Sequence, residues 1–423
     1  MNNKLGYLAG ALARPLLFAI YFLSGFFPRR CDLWVFGSWG GYRFADNAAS
    51  FFLYCQTEIG DRVDLVWISR KSKIITELRD KGYRAYWIWS PRGMVCCLRG
   101  EVYLFDCFIK DINYWLSRNA LAFNLWSGVP IKKIERDIDI PRNRYYQLFH
   151  GSLPVRFLLA AMMPWHIKRA DLYICTSPTT QRLLQSCFGV SRERTAVTGL
   201  PRNDVFFQDR ALASDQPGQW SAHLRSMLTG PQKIFAYLPT FRDSGQSYMD
   251  IDWKALEKFL AEQNAVFIYK THPQEAGSSS MVDSPHICGL EQEVNIVDLM
   301  NLSDVLISDY SSIIFDYLLT DRPIIYYVPD IEEFTKNSRS FYFDYNELIA
   351  GPKAQTFEEL LAAMAHTIAG GEDTKKASAR RKQIAQRLHL HFDDGACARV
   401  LAEVVSRVPG LALDPIDPAG SGD

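Results

Sequence analysis

The sequence predicts an α/β protein made of two parallel-sheet domains. Three observations carry this expectation. The chain has 423 residues, beyond the size at which one hydrophobic core keeps growing, so two domains are the natural division. Short apolar runs of strand length alternate with segments of helical period, the pattern of a parallel sheet with crossover helices. The alternation lapses between Phe207 and Pro231, where Ser214, Asp215, Pro217, Gly218 and Gly230 gather, and then resumes.

The first 31 residues stand apart. Residues 5–27 read LGYLAGALARPLLFAIYFLSGFF, about the length that crosses a bilayer. Arg14-Pro15 interrupts the run midway, and an arginine at mid-membrane costs about 2.5–3.5 kcal/mol on insertion scales. Lys4 precedes the run and Arg29-Arg30 follow it, which suits an anionic leaflet. No convincing small-residue cleavage site is present. A monotopic helix lying on a membrane surface fits these residues better than a span or a helix packed on the protein itself.

Strands are then expected at 33–36, 63–68, 84–88, 102–105, 121–126 and 172–176, with helices at 45–58 and 72–81. After the lapse, strands are expected at 234–238, 266–269, 305–307 and 324–328. Helices at 253–263, 295–302 and 313–319 separate them, and helices at 357–369, 375–388 and 397–408 follow. The resulting division is a membrane-associating segment 1–31, an α/β domain 32–207, a linker 208–231, a second α/β domain 232–408 and a frayed tail 409–423. Two Rossmann-like domains facing a cleft resemble the GT-B architecture.

Composition narrows the function. Hydrophobic residues make up 48% and charged residues 22%, a globular balance. Lys+Arg and Asp+Glu both number 47, so the basic excess of a nucleic-acid binder is missing. The nine cysteines form no CxxC pair, which speaks against a zinc ribbon or disulfide framework and for buried thiols in a reducing compartment.

In open parallel sheets, ligands bind beyond the carboxyl ends of the strands. Several apolar runs here end in unusual polar residues. Thr240-Phe241-Arg242-Asp243 follows one, Lys270-Thr271-His272-Pro273 another, and Asp309-Tyr310-Ser311-Ser312 a third. Ser311 and Ser312 stand where a helix begins, and hydroxyls beside unpaired N–H groups suit phosphate. They suit helix capping equally well. His272 fits acid–base work or a phosphate contact, and also a structural role before proline. Arg242 would hold a pyrophosphate in a cleft, or pair with Asp243 on the surface. In the first half, Trp126-Ser127-Gly128-Val129-Pro130-Ile131-Lys132-Lys133 ends one run, and Gly199-Leu200-Pro201-Arg202-Asn203-Asp204 lies ahead of the expected linker.

Taken together, these segments resemble the CDP-glycerol:poly(glycerophosphate) glycerophosphotransferases, the teichoic acid primase and polymerase group, which also occurs in capsule and surface-polysaccharide clusters. Trp34 to Ser38 with Asp46-Asn47 matches the family's opening motif. Gly199 to Asp204 matches another, with Leu200 for Tyr. Pro239 to Asp243 matches with Phe241 for Trp, and Lys270 to Pro273 with Lys270 for Arg. Asp309 to Ser312 and Arg322-Pro323 match directly, and Tyr342 to Tyr345 with Gly351-Pro352 resembles the family's tail. Each motif alone is weak. Their order and spacing make the resemblance specific, from about Leu33 to the helix after Phe357. One departure stands out. The family's Trp-His-Gly segment carries a proposed catalytic base, and here that position is Ser127. A serine is no base at neutral pH without help, and His150, in another His-Gly pair, is a substitute to consider.

The resemblance implies transfer of a polyol phosphate, glycerol phosphate first, from a CDP-alditol to a hydroxyl of a lipid-linked or glycan acceptor, with release of CMP. It implies His272, Ser127 and Asp243 in the catalytic role. It implies Thr240, Arg242, Lys270, Asp309, Ser311, Ser312, Pro201, Arg202 and Asn203 around the donor, and Lys132 and His150 on the acceptor side. It implies no resident cofactor, with Asp309 as the group that would hold Mg²⁺ if an ion takes part. The expected location is the cytoplasmic face of a bacterial membrane. A GT-B sugar transferase and a non-catalytic member of a polymer-assembly complex are the alternatives.

Overall fold

The computed structural model describes residues 2–209, 221–240, 251–270, 282–290, 295–331, 340–370 and 373–411. The chain divides into two compact units, one holding residues 1–127, 134–204 and 395–423, the other 128–133 and 205–394.

The first unit is built on seven strands: β1 Arg30–Gly37, β2 Asp64–Ser69, β3 Ala85–Trp87, β4 Gly100–Phe105, β5 Leu121–Asn124, β6 Leu172–Cys175 and β7 Thr195–Val197. Their order is β3-β2-β1-β4-β5-β6-β7, and every neighbouring pair is parallel. A parallel sheet is covered on both faces, and β1 has the residues for that. Trp34 and Phe36 enter one core, and Leu33 and Val35 enter the other. Helix Asp46–Glu58 lays Phe51, Phe52 and Cys55 on the Trp34 side. Helix Ala396–Val405 adds Cys397, Val400, Leu401 and Val404 to the same core. This corrects the expected domain boundary, because residues 395–408 belong with the first unit. The apolar face of that last helix completes a core formed some 340 residues earlier in the chain, roughly, and sequence order gives no hint of the return.

The second unit has six strands: β8 Lys233–Tyr237, β9 Ala265–Tyr269, β10 Ile287–Gly289, β11 Val305–Ser308, β12 Ile324–Tyr327 and β13 Lys353–Ala354. Their order is β10-β9-β8-β11-β12-β13, again all parallel. Helices Trp253–Glu262 and Phe357–Ala369 cover one face through Leu256, Leu260, Leu360 and Met364. Gly351 enters β13 so closely that a Cβ there would lie 2.0 Å from the Ile324 carbonyl oxygen. The expected linker 208–231 contains a helix, Ala222–Thr229, capped by the Ser221 hydroxyl accepting from the Leu224 N–H at 3.1 Å. The segment 128–133 also departs from expectation. It lies in the second unit, where Lys132 and Phe341 form an antiparallel bridge.

The N-terminal helix spans Asn2–Ser24 with Pro15 inside it. Among the described residues no helix is long and apolar enough to cross a membrane. One side of this helix packs on the first unit. Tyr21 stacks on Tyr114 at 4.8 Å, and Arg14 donates from Nη1 to the Ala161 carbonyl at 2.9 Å. The guanidinium also sits 5.8 Å from both the Trp115 and Trp165 rings, so aromatic faces and a backbone carbonyl compensate its partial burial.

Candidate functional site

In each sheet the strand order reverses once, between β1 and β4 in the first and between β8 and β11 in the second. Ligands favour such switch points, beyond the carboxyl ends of the strands. A dense polar network occupies that place in each unit.

In the first unit, β1 runs out at Gly37, and the Ser38 hydroxyl lies 2.5 Å from Asp106 Oδ2. Asp106 follows β4, and its Oδ1 accepts from the Ala48 N–H at 2.8 Å. Burial holds its carboxyl well above the usual range, and the neighbouring Asp46 charge adds to this. Asp46 and Asn47 open the next helix and face outward from it in different directions. Asp46 Oδ1 accepts from Arg202 Nη1 at 2.5 Å, and Oδ2 accepts from Trp39 Nε1 at 3.1 Å. Asn47 donates through Nδ2 to the Trp126 carbonyl at 2.6 Å and accepts the Arg202 N–H at 3.1 Å. Asp204 accepts from the N–H groups of Ala396 and Cys397 at 3.0 and 2.9 Å. Burial pushes its carboxyl up to about 7.

The backbone is strained here. Trp39, Asp46 and Trp126 hold φ at 48, 67 and 51° without being glycine. Such conformations persist only where the surroundings over-determine them, and they gather at functional sites.

Arg202 was expected to offer a cation to the donor. The structure commits it to Asp46, with each side chain only 6% exposed. Its guanidinium is thus held on Asp46 and its N–H on Asn47. Pro201 and Asn203 stand beside it in the turn Pro201–Phe207, both buried. Ser127 ends the first unit's run after β5, between Trp126 and a Gly128 at φ 135°. His150, the substitute for the missing base, turns to other partners. Its Nε2 lies 2.6 Å from the Arg136 carbonyl and its ring 5.0 Å from Tyr146.

In the second unit, Asp309 follows β11. Both its oxygens accept from the Thr240 N–H at 2.9 and 3.1 Å, and Oδ1 also accepts from the Thr240 hydroxyl at 2.6 Å and the Tyr310 N–H at 2.5 Å. Holding these donors, the carboxylate fixes the loop after β8 against the loop after β11. The Tyr345 hydroxyl donates to the Asp309 carbonyl at 2.7 Å. Ser312 takes helical φ/ψ and makes no side-chain cap. Neither the Ser311 nor the Ser312 hydroxyl has a hydrogen-bond partner among the described residues, so the capping alternative falls away. The helix they precede, Ile313–Tyr317, is five residues long, so hydroxyls rather than a macrodipole carry any anion affinity there.

Lys132 was expected on the acceptor side. It lies in the second unit, where the Ile131 carbonyl accepts from the Tyr342 N–H at 2.9 Å and the Lys133 N–H donates to the Ser340 carbonyl at 2.8 Å. Phe341, its bridge partner, stacks on Tyr345. Lys270 ends β9, and its N–H donates to the Tyr237 carbonyl at 3.1 Å. Arg322 is a structural clamp, with Nη1 on the carbonyls of Asn301 and Ser303 at 2.5 and 2.9 Å. Arg242, Asp243 and His272 lie outside the described residues.

Sequence reasoning missed Asp106 and Asp111. Asp106 follows the apolar run of β4 directly, so the strand-end rule could have found it. It also missed the buried pair His166–Glu135, joined at 2.9 Å, which no spacing announces.

The chain matches the profile of the CDP-Glycerol:Poly(glycerophosphate) glycerophosphotransferase family over residues 19–407. It is 26% identical over 387 residues to a teichoic acid poly(glycerol phosphate) polymerase of Bacillus spizizenii, covering 84% of this chain and 89% of that one. It is 24% identical over 392 residues to a teichoic acid glycerol-phosphate transferase of Staphylococcus aureus, covering 88% and 92%. Its fold resembles that of the wall teichoic acid polymerase TagF, with a TM-score of 0.72 at 18% identity over 96% of this chain and 98% of that one.

Proposed function

This chain belongs to the CDP-glycerol:poly(glycerophosphate) glycerophosphotransferase family, and from that premise we propose that it transfers a polyol phosphate, glycerol phosphate first, from a CDP-alditol to an acceptor hydroxyl in teichoic-acid-like or surface-polysaccharide synthesis. The observation that carries the reading is the pair of hydroxyls, Ser311 and Ser312, that have no hydrogen-bond partner among the described residues and follow the Asp309–Thr240 lock at the switch point of the second sheet. Both full-length relatives named above work with glycerol phosphate by name, which favours glycerol over ribitol.

In the proposed reaction an acceptor oxygen attacks the phosphorus that bears the polyol. The new P–O bond forms as the P–O bond to CMP breaks, and CMP leaves with the electron pair. The charge gathers on phosphoryl oxygens, so catalysis is positioning and electrostatic stabilisation. Ser311, Ser312, Arg242 and Lys270 hold the pyrophosphate, and Thr240 and Asp309 set the loop that presents it. His272 stabilises the departing CMP phosphate or protonates it, and Asp243 orients Arg242. Ser127 cannot take the acceptor proton unaided, so that proton passes to another group. The GT-B-like architecture, with a donor-binding C-terminal unit and an acceptor-side N-terminal unit, belongs to the same proposal.

The proposed place of work is the cytoplasmic face of a membrane, by monotopic association. Leu16, Phe22, Leu23, Phe26 and Phe27 leave an apolar side of the N-terminal segment exposed. Helix Leu153–Met162 has no buried residue, and its Leu153 and Phe157 are 77% and 80% exposed. The Arg14–Ala161 hydrogen bond joins the two. Apolar surface of this kind is uncommon on a monomer facing only water.

The test is CMP release by purified protein in detergent, offered CDP-glycerol and CDP-ribitol with a lipid-linked acceptor mimic, beside a Ser127→His variant. Turnover by the wild type supports the transferase. Silence from the wild type with turnover in Ser127→His places the lost base at position 127. Silence from both favours a nucleotide sugar donor or the non-catalytic reading that Ser127 keeps open.

A further inference from the structure

The turn after β1, whose Trp39 joins the first unit's polar network through Asp46, carries exposed groups to which the reaction above assigns no role. Trp39 and Tyr42 are 42% and 56% exposed there. Both rings are flanked by cations. The Arg43 guanidinium lies 5.4 Å from the Trp39 ring, and Arg70 and Lys71 each lie 6.0 Å from the Tyr42 ring.

Singly exposed aromatics are ordinary. These two are not loosely exposed, because the turn beneath them is fixed. Trp39, Gly40 and Gly41 take positive φ in succession, at 48, 67 and 82°. The Gly40 N–H donates to Asp111 Oδ1 at 2.9 Å, and the Gly40 carbonyl accepts from Arg70 Nε at 2.9 Å. The Gly41 carbonyl accepts from the Arg70 N–H at 2.7 Å and the Ser69 hydroxyl at 2.9 Å. Trp39 itself is held through Nε1 to Asp46, which Arg202 holds in turn. Backbone strain kept by this many bonds is a mark of preorganisation.

We propose that Trp39 and Tyr42, with Arg43, Arg70 and Lys71, form the binding platform for the anionic acceptor chain, a phosphodiester-linked polyol or phosphorylated glycan. Exposed rings take the C–H faces of a polyol or sugar, and the cations between them take phosphodiester oxygens. The nearby carboxylates Asp46 and Asp111 point away from this role, since both are buried and engaged with Arg202, Trp39 and Gly40. The exposed charge is therefore positive, which matches a polyanion. The platform also stands at the ends of β1 and β2, next to the switch point of the first sheet. The inference rests on the polyol-phosphate transferase reading for its substrate class.

The experiment has a binding arm that does not need turnover. A soluble glycerol-phosphate oligomer is titrated into wild-type protein, Tyr42→Ala, Tyr42→Phe and Arg43→Ser by calorimetry at two salt concentrations. The expected result is saturable, salt-sensitive binding to the wild type, retained in Tyr42→Phe and weakened about tenfold or more in the other two. In turnover, the acceptor KM rises by the same factor in Tyr42→Ala while the CDP-alditol KM and the melting temperature hold. Oligomer binding that is absent from the wild type, or unchanged in Tyr42→Ala and Arg43→Ser, overturns the platform whether or not CMP is released. Binding without turnover leaves the platform standing and the transferase reading fallen. Phosphatidylglycerol vesicles without acceptor form the last arm. If they lose affinity in both variants while the oligomer does not, the patch reads lipid headgroups and the proposal fails.

Discussion

Arg202 reaches back 156 residues to place Nη1 on Asp46 at 2.5 Å, with each side chain 6% exposed. The pair joins the start of helix Asp46–Glu58 to the turn Pro201–Phe207. Removing one partner of a buried pair strands the other charge and costs about 3–5 kcal/mol. Arg202→Met should therefore destabilise the protein by that order. Arg202→Met combined with Asp46→Asn should recover part of the loss, since no charge is left unmatched. Urea unfolding of the single and double variants checks both statements. Equal stability of Arg202→Met and wild type would remove the structural role assigned to this arginine.

The Thr240–Asp309 lock leads to a second prediction. Thr240→Val keeps the shape and the backbone N–H but loses the hydroxyl that reaches Asp309 Oδ1 at 2.6 Å. The loop after β8 then loses its register against the loop after β11. Small misplacements of this sort cost up to about 100-fold in rate. The expected outcome is a fall of roughly 10–100-fold in CMP release with CDP-glycerol, from a folded protein. Steady-state kinetics with a melting curve on the same sample decides it.

Both sheets were legible in the sequence where their strands are long. The runs behind β1, β2, β4, β8, β9 and β12 have four or more apolar residues and that behind β11 has three before its polar end, enough for a strand-length run to register. Strands β7, β10 and β13 have three, three and two residues, too few to show any period, and they form because a longer neighbour offers its edge. The path of the chain was not legible. Residues 128–133 leave for the second unit and helix Ala396–Val405 comes back to the first, and both moves are decided by long-range packing. Strand-end polarity picked out Thr240, Asp309, Ser311 and Ser312, which stand beyond β8 and β11. The Arg202–Asp46 pair was not legible, because a guanidinium in a motif looks the same whether it meets a ligand or a buried carboxylate.

Ser311 and Ser312 make a contrasting case. Their hydroxyls have no hydrogen-bond partner among the described residues, so folding gains nothing from them. Ser311→Ala and Ser312→Ala should each leave stability within about 0.5 kcal/mol of wild type. A hydrogen bond to a charged group contributes about 1.5–3 kcal/mol, so kcat/KM for the CDP-alditol should fall at least about tenfold in each. Loss of stability without loss of activity would return these serines to the capping role.

Asp204 gives the last prediction, and it concerns pH. Burial raises its carboxyl to about 7 in the folded protein, against about 3.9 in an unfolded chain. The folded state therefore keeps a proton that the unfolded state releases. Between about pH 4 and 7 the unfolded form binds fewer protons, and stability falls as pH rises, by up to about 1.4 kcal/mol per unit from this one group. Above about 7 both states are ionised and the contribution is flat; below about 4 both are protonated and the penalty is absent. Asp204→Asn cannot ionise; it keeps an acceptor for only one of the Ala396 and Cys397 N–H groups, which bond to Oδ1 and Oδ2 respectively, a loss that is the same at every pH. Other carboxylates titrate in the same window in both proteins, so the difference between them isolates Asp204. The stability of Asp204→Asn relative to wild type should thus rise from pH 4.5 to 7 and level off beyond it. A difference that stays constant across that range would mean that Asp204 is already ionised in the folded protein at pH 4.5, held by the two N–H groups more strongly than burial opposes.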